Sequence, residues 1–587
     1  MFSEYYESEL TYLRQLGRDF SQLNPAIAAM LAERSGDPDV ERLLEGFAFL
    51  TARIRERIDD SVPEVLQSLC QLLLPHYLRP IPATSIVEFT PQGALRGRVK
   101  IPRGTEVASQ KVSDIRCRFQ TTQDVDLLPI SLLDANLDRS AAAFPVLTLS
   151  FGMTEGAGPE IFRPEGIRLF LAGEYPGAAL LAYWFGRHVR RVTVKAGPNA
   201  TGIHLPPNSI RLPGLAPENA LIPYPRFAPP GYRLLQEYFT QPAKFLFVDI
   251  VNLDRAIGLL GERLEISIEF DRPPDISGRI SRENFRLACA PVVNLFKTSA
   301  DPVNYDGTIR EHLLRASELG PLHSEVHEVG AVIGARGTGA QKAIYRPFND
   351  FSYRGEQVDK SRRVSATPSF VIRRSMSPLD NGIDTFLSVV TPKGVLPNPL
   401  DDVLSIDLVC SNRSIPAQIR TGDINVPTPL SPTAASFRNI APVTPSVRLP
   451  LGDELGWRLV SHLALSHRSL AEPGLLRSML SLYNFQGLEG HADGQTNERR
   501  IESVQEVTTR ATRRVLEGSP VRGAATRLRC AESGFAGRGD VFLFGCVLDE
   551  LFASFLNVNE VHELGIQLDP SNIELTWLPR SGQQTII

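Results

Sequence analysis

Proline and glycine interrupt this chain too often for a helical bundle. It carries 45 Pro and 44 Gly in 587 residues, and both residue types end helices or force turns. The pattern predicts many turns and short strands, with helices confined to segments of sustained apolar periodicity. The length fits about four domains, and 42% hydrophobic with 22% charged residues is an ordinary globular composition.

One stretch concentrates the large rings. Gly231 to Ile250 holds Tyr232, Tyr238, Phe239, Phe245 and Phe247, five of 20 residues in a chain that is 8% aromatic. Leu234, Leu235, Tyr238 and Phe239 share one face of a short helix. Gln241-Pro242 should end that helix, because proline restricts its predecessor and donates no hydrogen bond. Phe245 to Ile250 then reads as a mostly buried strand. Rings bury the most surface per residue, so this unit should anchor a core.

The rest divides into four regions. Residues 1–78 predict three helices. Tyr6, Leu10, Leu13, Phe20 and Leu23 recur at helical spacing. Val40, Leu43, Leu44, Phe47, Leu50, Ile54 and Ile58 form a seam of nearly heptad spacing behind Asp37-Pro38. A third helix opens at Pro63 and closes at Pro75. Residues 79–272 read as a β-rich domain containing the aromatic helix-strand segment, with a hairpin turn at Pro102-Arg103-Gly104-Thr105. Residues 273–440 read as a second β-rich domain, and the Pro/Ser/Thr-rich Ser431–Pro450 as a linker. Residues 441–587 read as a mixed α/β domain. In it Val541–Phe544 looks like a strand, and Val547, Leu548, Leu551, Phe552 and Phe555 like an amphipathic helix. The fold class is therefore α+β and multidomain: a helical N-terminal region, β-rich domains, and a mixed C-terminal domain.

Charge and cysteine usage narrow the function. The net charge of −4 lacks the basic excess of a nucleic-acid binder. The start, MFSEYYESEL, does not read as a secretory signal, and no apolar run reaches the ~18 residues of a membrane span. Cys70, Cys117, Cys289, Cys410, Cys530 and Cys546 stand singly with no CxxC, as expected of reduced, buried thiols in a cytoplasm.

Catalytic patterns are weak throughout. There is no G-x-S-x-G elbow and no P-loop. The Gly330–Ala340 run lacks a phosphate-binding lysine and reads as a surface loop. His323 and His327 alternate like strand residues, about 13 Å apart at strand rise. His462 and His467 flank a leucine-striped helix. Asp59-Asp60 and Asp401-Asp402 are sequence neighbours whose side chains diverge. The expectation is no catalytic residue, no cofactor and no metal. The competing class is a β-rich, carbohydrate-active enzyme with a site built from distant loops.

A family resemblance covers nearly the whole chain. EYYESELTYLRQLGRDFSQLNP, DPDVERLLEGFAFLTARIRERIDD, VKIPRGTEVAS, GYRLLQEYFTQPAKFLF, APVVNLFKTSADPV, CSNRSIP, WRLVSHLALSHRSL and GRGDVFLFGCVLDELFASFLNVNEVHEL resemble, in order, the blocks of the TssF (ImpG, VasA) family. Local departures include Ser466, where the family usually has Asn. The resemblance implies a cytoplasmic, non-enzymatic baseplate subunit of the type VI secretion system. It implies wedges formed with TssG, TssK, TssE and a second TssF copy around the VgrG spike, docked on the inner-membrane complex without insertion. The candidate interface is the N-terminal seam: Tyr6, Leu10, Leu13, Phe20, Leu43, Phe47, Leu50 and Ile54.

Overall fold

The computed structural model describes residues 6–7, 10–14, 42–52, 67–71, 74–138, 144–154, 166–197, 200–224, 229–254, 263–275, 278–336, 341–348, 369–380, 382–390, 402–449, 451, 458, 461, 471–488, 490–516 and 519–582. It forms two units, Met1–Leu78 with Pro450–Val460, and Arg79–Leu449 with Ser461–Ile587. In the first, the described residues 6–7, 10–14, 42–52 and 67–71 are helical. Pro75–Leu78 makes a turn of 3-10 helix, and Arg458 Nη1 donates to the Tyr77 hydroxyl at 3.2 Å. The stripe Leu455–Leu470 lies mostly outside the described residues.

The second unit is a mixture of α and β. One five-stranded sheet runs in the order Ala435–Asn439, Thr84–Pro91, Cys289–Val293, Ile115–Thr121, Glu106–Val112. Val87, Phe89, Cys117, Phe119, Val292 and Phe437 form its core. This sheet corrects three expectations. It joins strands from both sides of the 272/273 boundary. Ser431–Pro450 is no linker, because Ala435–Asn439 pairs antiparallel with Thr84–Pro91 and Val447 bridges Ile81. Pro102–Thr105 is not a hairpin turn either. Val99–Ile101 pairs with Val125–Leu127, while Glu106–Val112 turns back through Ser113 and Asp114, both at positive φ, onto Ile115–Thr121.

Two further sheets follow, the second containing the strand of the aromatic segment. One orders Ile203–Leu205, Val189–Lys195, Arg263–Phe270, Val146–Met153 and Ile130–Asp138; the other, Ile210–Arg211, Phe247–Ile250, Ile167–Leu171 and Phe285–Leu287. An eight-stranded sheet spans Phe296–Ser299 to Asp402–Ser411. The Gly330–Ala340 run is not a surface loop where described. Gly330 to Arg336 belong to the strand Glu325–Arg336, which pairs with Gln341–Pro347. Gly334 is required because a Cβ there would lie 2.7 Å from the Tyr345 ring.

Helices fill the centre: α1 (Tyr175–Arg187), α2 (Pro230–Thr240), α3 (Pro473–Leu482), α4 (Phe485–Leu488), α5 (Ala492–Glu502) and α6 (Arg538–Ala553). Helix α2 ends at Thr240, just before Gln241-Pro242. It buries every residue from Gly231 to Thr240, not one face. The following strand begins at Phe247, after a 3-10 turn at Pro242–Phe245.

Helix α6 is the larger correction. Val541–Phe544 is helical, continuous with Val547–Phe552. A helix buried on all sides shows no period, so its apolar run reads like a buried strand. It packs on both α1 and α2. At the α1 crossing, a Cβ on Gly539 would fall 2.2 Å from the backbone of Ala179 and Leu180. Backbone cannot swing aside as a side chain can. Gly539→Ala should therefore destabilise by about 3 kcal/mol, the upper end of overpacking costs, read as a lowered urea midpoint with unchanged expression.

Candidate functional site

Three clusters of charge in the second unit come first, beside the ion pairs of Arg413 with Asp380 and Asp384 and of Arg580 with Asp549 and Glu550. The first is the Asp540 carboxylate at the start of α6, 1% exposed. Oδ1 accepts from Tyr175 at 2.7 Å and from Tyr238 at 2.6 Å. Oδ2 accepts from Arg500 Nε at 2.9 Å and from the Ala536 N–H at 3.1 Å. Arg500 also donates to Asn497 Oδ1, and Asn497 donates to the Phe239 carbonyl. Burial pushes the Tyr238 hydroxyl well above its usual range, so it remains a neutral donor. The cluster links α1, α2, α5 and α6. Asp540 was invisible to motif reasoning; the available signal was a lone acid opening an apolar helix.

The second is a buried ion triad in the aromatic segment. Glu237 lies between Arg233 (3.1 Å) and Lys244, and accepts the Leu221 N–H at 2.6 Å. Burial pulls the Lys244 ammonium down to about 8, against the opposing pull of Glu237. The charges that the sequence offered here are thus spent on one another.

The third is a cavity of about 680 Å³ between the Val99–Ile101/Val125–Leu127 ribbon and the turns at Pro213–Asn219. Its size is that of a ligand pocket, and charged side chains do converge there. Six of them pair off, while Arg103 and Arg211, also in the lining, donate to backbone carbonyls. Arg98 forks onto both Asp126 oxygens at 2.8 Å, Arg168 holds Asp249 at 2.6 and 2.8 Å, and Lys100 meets Asp124 at 2.7 Å. Lys100, with the Arg103 N–H, holds Asp124 below the usual carboxylate range. Burial pushes the Cys289 thiol well up. The described lining contains no His, Ser, Thr or Tyr; its thiol is Cys289 and its carboxylates are Asp124, Asp126, Glu218 and Asp249. Among the described residues no three His, Cys, Asp or Glu side chains stand close enough to share a metal ion. The six cysteines are free and buried.

His327 is buried on the strand Glu325–Arg336, with Nδ1 2.9 Å from the Pro80 carbonyl, and burial lowers it to about 3. His462 and His467 lie outside the described residues. Next to His327, burial raises Glu325 from 4.5 to about 7. Its protonated form is favoured by folding, so its stabilising contribution is full below 4.5 and is lost as pH rises through about 7. His327 has the opposite sign: neutral in the fold, it loses stability as pH falls below 6.5 toward about 3. Glu325→Gln should remove the first effect alone. Its urea midpoint relative to the parent should climb steadily between pH 5 and 7; parallel curves would show that Glu325 does not titrate there.

The sequence-selected seam is partly visible. Leu43, Phe47 and Leu50, one face of a helical stretch, are 73%, 61% and 61% exposed. Tyr6, Leu10 and Leu13 are half-buried. Phe20 and Ile54 lie outside the described residues.

These features define a chain of mixed α and β structure in which buried charges enter ion-pair and hydrogen-bond networks. The sequence profile described as "Type VI secretion system, TssF" matches residues 1–584. The type VI secretion system component TssF1 of Pseudomonas aeruginosa is 30% identical, over 99% of this chain and 98% of its own length. A chain of the TssK-TssF-TssG baseplate subcomplex of the type VI secretion system, solved by cryo-electron microscopy, superposes with a TM-score of 0.79 at 29% identity, covering 93% of this chain and 99% of that one. A chain of a type VI baseplate complex shares the fold at a TM-score of 0.59 and 23% identity, over the full length of both. The chain belongs to the TssF family of the type VI secretion system.

Proposed function

We propose that this chain is a structural subunit of the type VI baseplate wedge. It acts by holding TssG and TssK, with TssE and a second copy of itself, around the VgrG spike, and makes or breaks no covalent bond. The observation that carries this reading is the near-full-length likeness to a chain solved within a TssK-TssF-TssG subcomplex. The cavity is consistent with it, since three of its four carboxylates are held by Arg or Lys side chains. In this reading the wedge sits on the cytoplasmic side, docked on the membrane complex. No helix among the described residues is long and apolar enough to cross a bilayer.

The seam Leu43, Phe47 and Leu50, continued by Tyr6, Leu10, Leu13, Phe20 and Ile54, is the proposed contact with TssG or the second copy. Three large apolar side chains on one exposed helical face are a surface that association would cover. Replacing Leu13, Leu43 and Leu50 with glutamate should sharply reduce recovery of TssG with the tagged chain, while circular dichroism of the β sheets stays unchanged. Undiminished co-purification of the folded variant would count against this interface.

A further inference from the structure

The strands Val504–Leu516 and Ser519–Ala531 form a hairpin of thirteen residues on each side, joined in parallel by Glu560–Asp569. Val504–Leu516 is the sheet's outer strand. Helices α3 and α5 pack against it, and Val504 and Val507 are buried at its base. Beyond Val507 the described side chains of this strand are exposed or half-buried. Its register shifts once, between Val504 and Glu506, and it contains no proline. Long edges of this kind are normally shortened, kinked or covered, because their open row of N–H and C=O groups recruits other strands.

The side chains on this edge, and on the strand Ser519–Ala531 behind it, point to the chemistry of its cover. Arg510, Arg513, Arg514 and Arg522 are all exposed. Arg513 sits directly opposite Arg522 in register, an arrangement that repels within the hairpin. Arg514 is held by Glu563 at 2.5 and 3.0 Å. Among the described residues no carboxylate comes within ion-pair distance of Arg510, Arg513 or Arg522. The acid beside Arg522 in register, Glu560, turns one oxygen, Oε2, to the backbone and side-chain N–H groups of Asn557.

We propose that this edge receives an extended acidic segment of a partner polypeptide, added as a further strand. A strand satisfies both the donors and the acceptors of the open edge, and carboxylates alternating along one of its faces neutralise the Arg513–Arg522 pair, Arg510 lying on the opposite face. A nucleic-acid backbone offers acceptors alone and would leave the edge carbonyls unpaired. The inference is independent of the wedge reading, since it rests on the hairpin's register and charge.

The test uses the full chain and a fluorescent peptide of alternating Glu and Val, about twelve residues long, long enough to span the edge. Anisotropy should show binding that weakens with salt, and amide exchange across 508–514 should slow on binding. The triple variant Arg510→Glu, Arg513→Glu, Arg522→Glu, at exposed positions that leave the core intact, should bind at least about tenfold more weakly. It should also lose the exchange protection. Failure of the acidic peptide to bind, binding without protection of 508–514, equal binding of a Lys-Val peptide, or preference for duplex DNA or phosphatidylglycerol vesicles would each overturn the proposal.

Discussion

Asp540→Ala should cost about 3–5 kcal/mol, the range for removing one partner of a buried ion pair. The change leaves the Arg500 guanidinium, 4% exposed, with Asn497 as its remaining hydrogen-bond acceptor beside the Tyr175 and Tyr238 rings. The hydroxyls of Tyr175 and Tyr238 lose their shared acceptor, and the Ala536 N–H loses its own. Four elements meet at this carboxylate, so the damage should spread. Hydrogen exchange should accelerate in α1, α2, α5 and α6 together, while the eight-stranded sheet keeps its protection. Asp540→Asn keeps an acceptor for the hydroxyls and should cost less. Equal stability of the alanine variant and the parent would mean that the cluster is solvated and not the tie between these helices.

Glu237→Ala should cost a comparable amount, about 3–5 kcal/mol, by a different route. It strands two cations, Arg233 and Lys244, in a site where both are at most 4% exposed, and frees the buried Leu221 N–H. The Lys244 ammonium is already depressed to about 8 by burial, and without Glu237 it should fall further. A depressed lysine carries its full penalty at low pH and sheds it as pH rises toward the unfolded value of 10.5. The deficit of Glu237→Ala should therefore shrink as pH rises toward 8, read from urea midpoints at a series of pH values. Adding Lys244→Met removes one stranded charge and should recover part of the loss at neutral pH. A deficit that ignores pH and is not relieved by the second change would place the cost in packing instead.

These two residues show where sequence reading works and where it stops. Local periodicity is legible. The alternation in Arg263–Phe270 marks a strand because one of its faces is buried and the other is not. The stop at Gln241-Pro242 is legible because proline acts on its immediate neighbours. Helix α6 was not legible, since Arg538–Ala553 is enclosed on nearly all sides and so lacks a polar face. Helix α1 escaped notice for the same reason, with seven of its residues buried. The return of Ala435–Asn439 to Thr84–Pro91 could not be read from local pattern either. It is set by complementary edges some 350 residues apart in the chain, and a Pro/Ser/Thr-rich approach looks the same in a linker as in an ordered crossing. The polar clusters share that difficulty. Asp540, Arg500 and Tyr175 are unremarkable alone, and their meaning comes from long-range packing.

Resemblance across the chain filled part of this gap, because eight blocks in order constrain more than any single spacing. It did not reveal the paired charges of the cavity or the arginine-bearing edge, which follow from side chains brought together by the fold.

The central claim is that this chain works as a fixed part of a larger assembly. Native mass spectrometry of the tagged chain co-expressed with TssG and TssK from the same genome tests it most directly. The account predicts a stable complex containing all three polypeptides, with little of the chain left free. A chain that elutes alone as a monomer while TssG and TssK associate without it would contradict the claim.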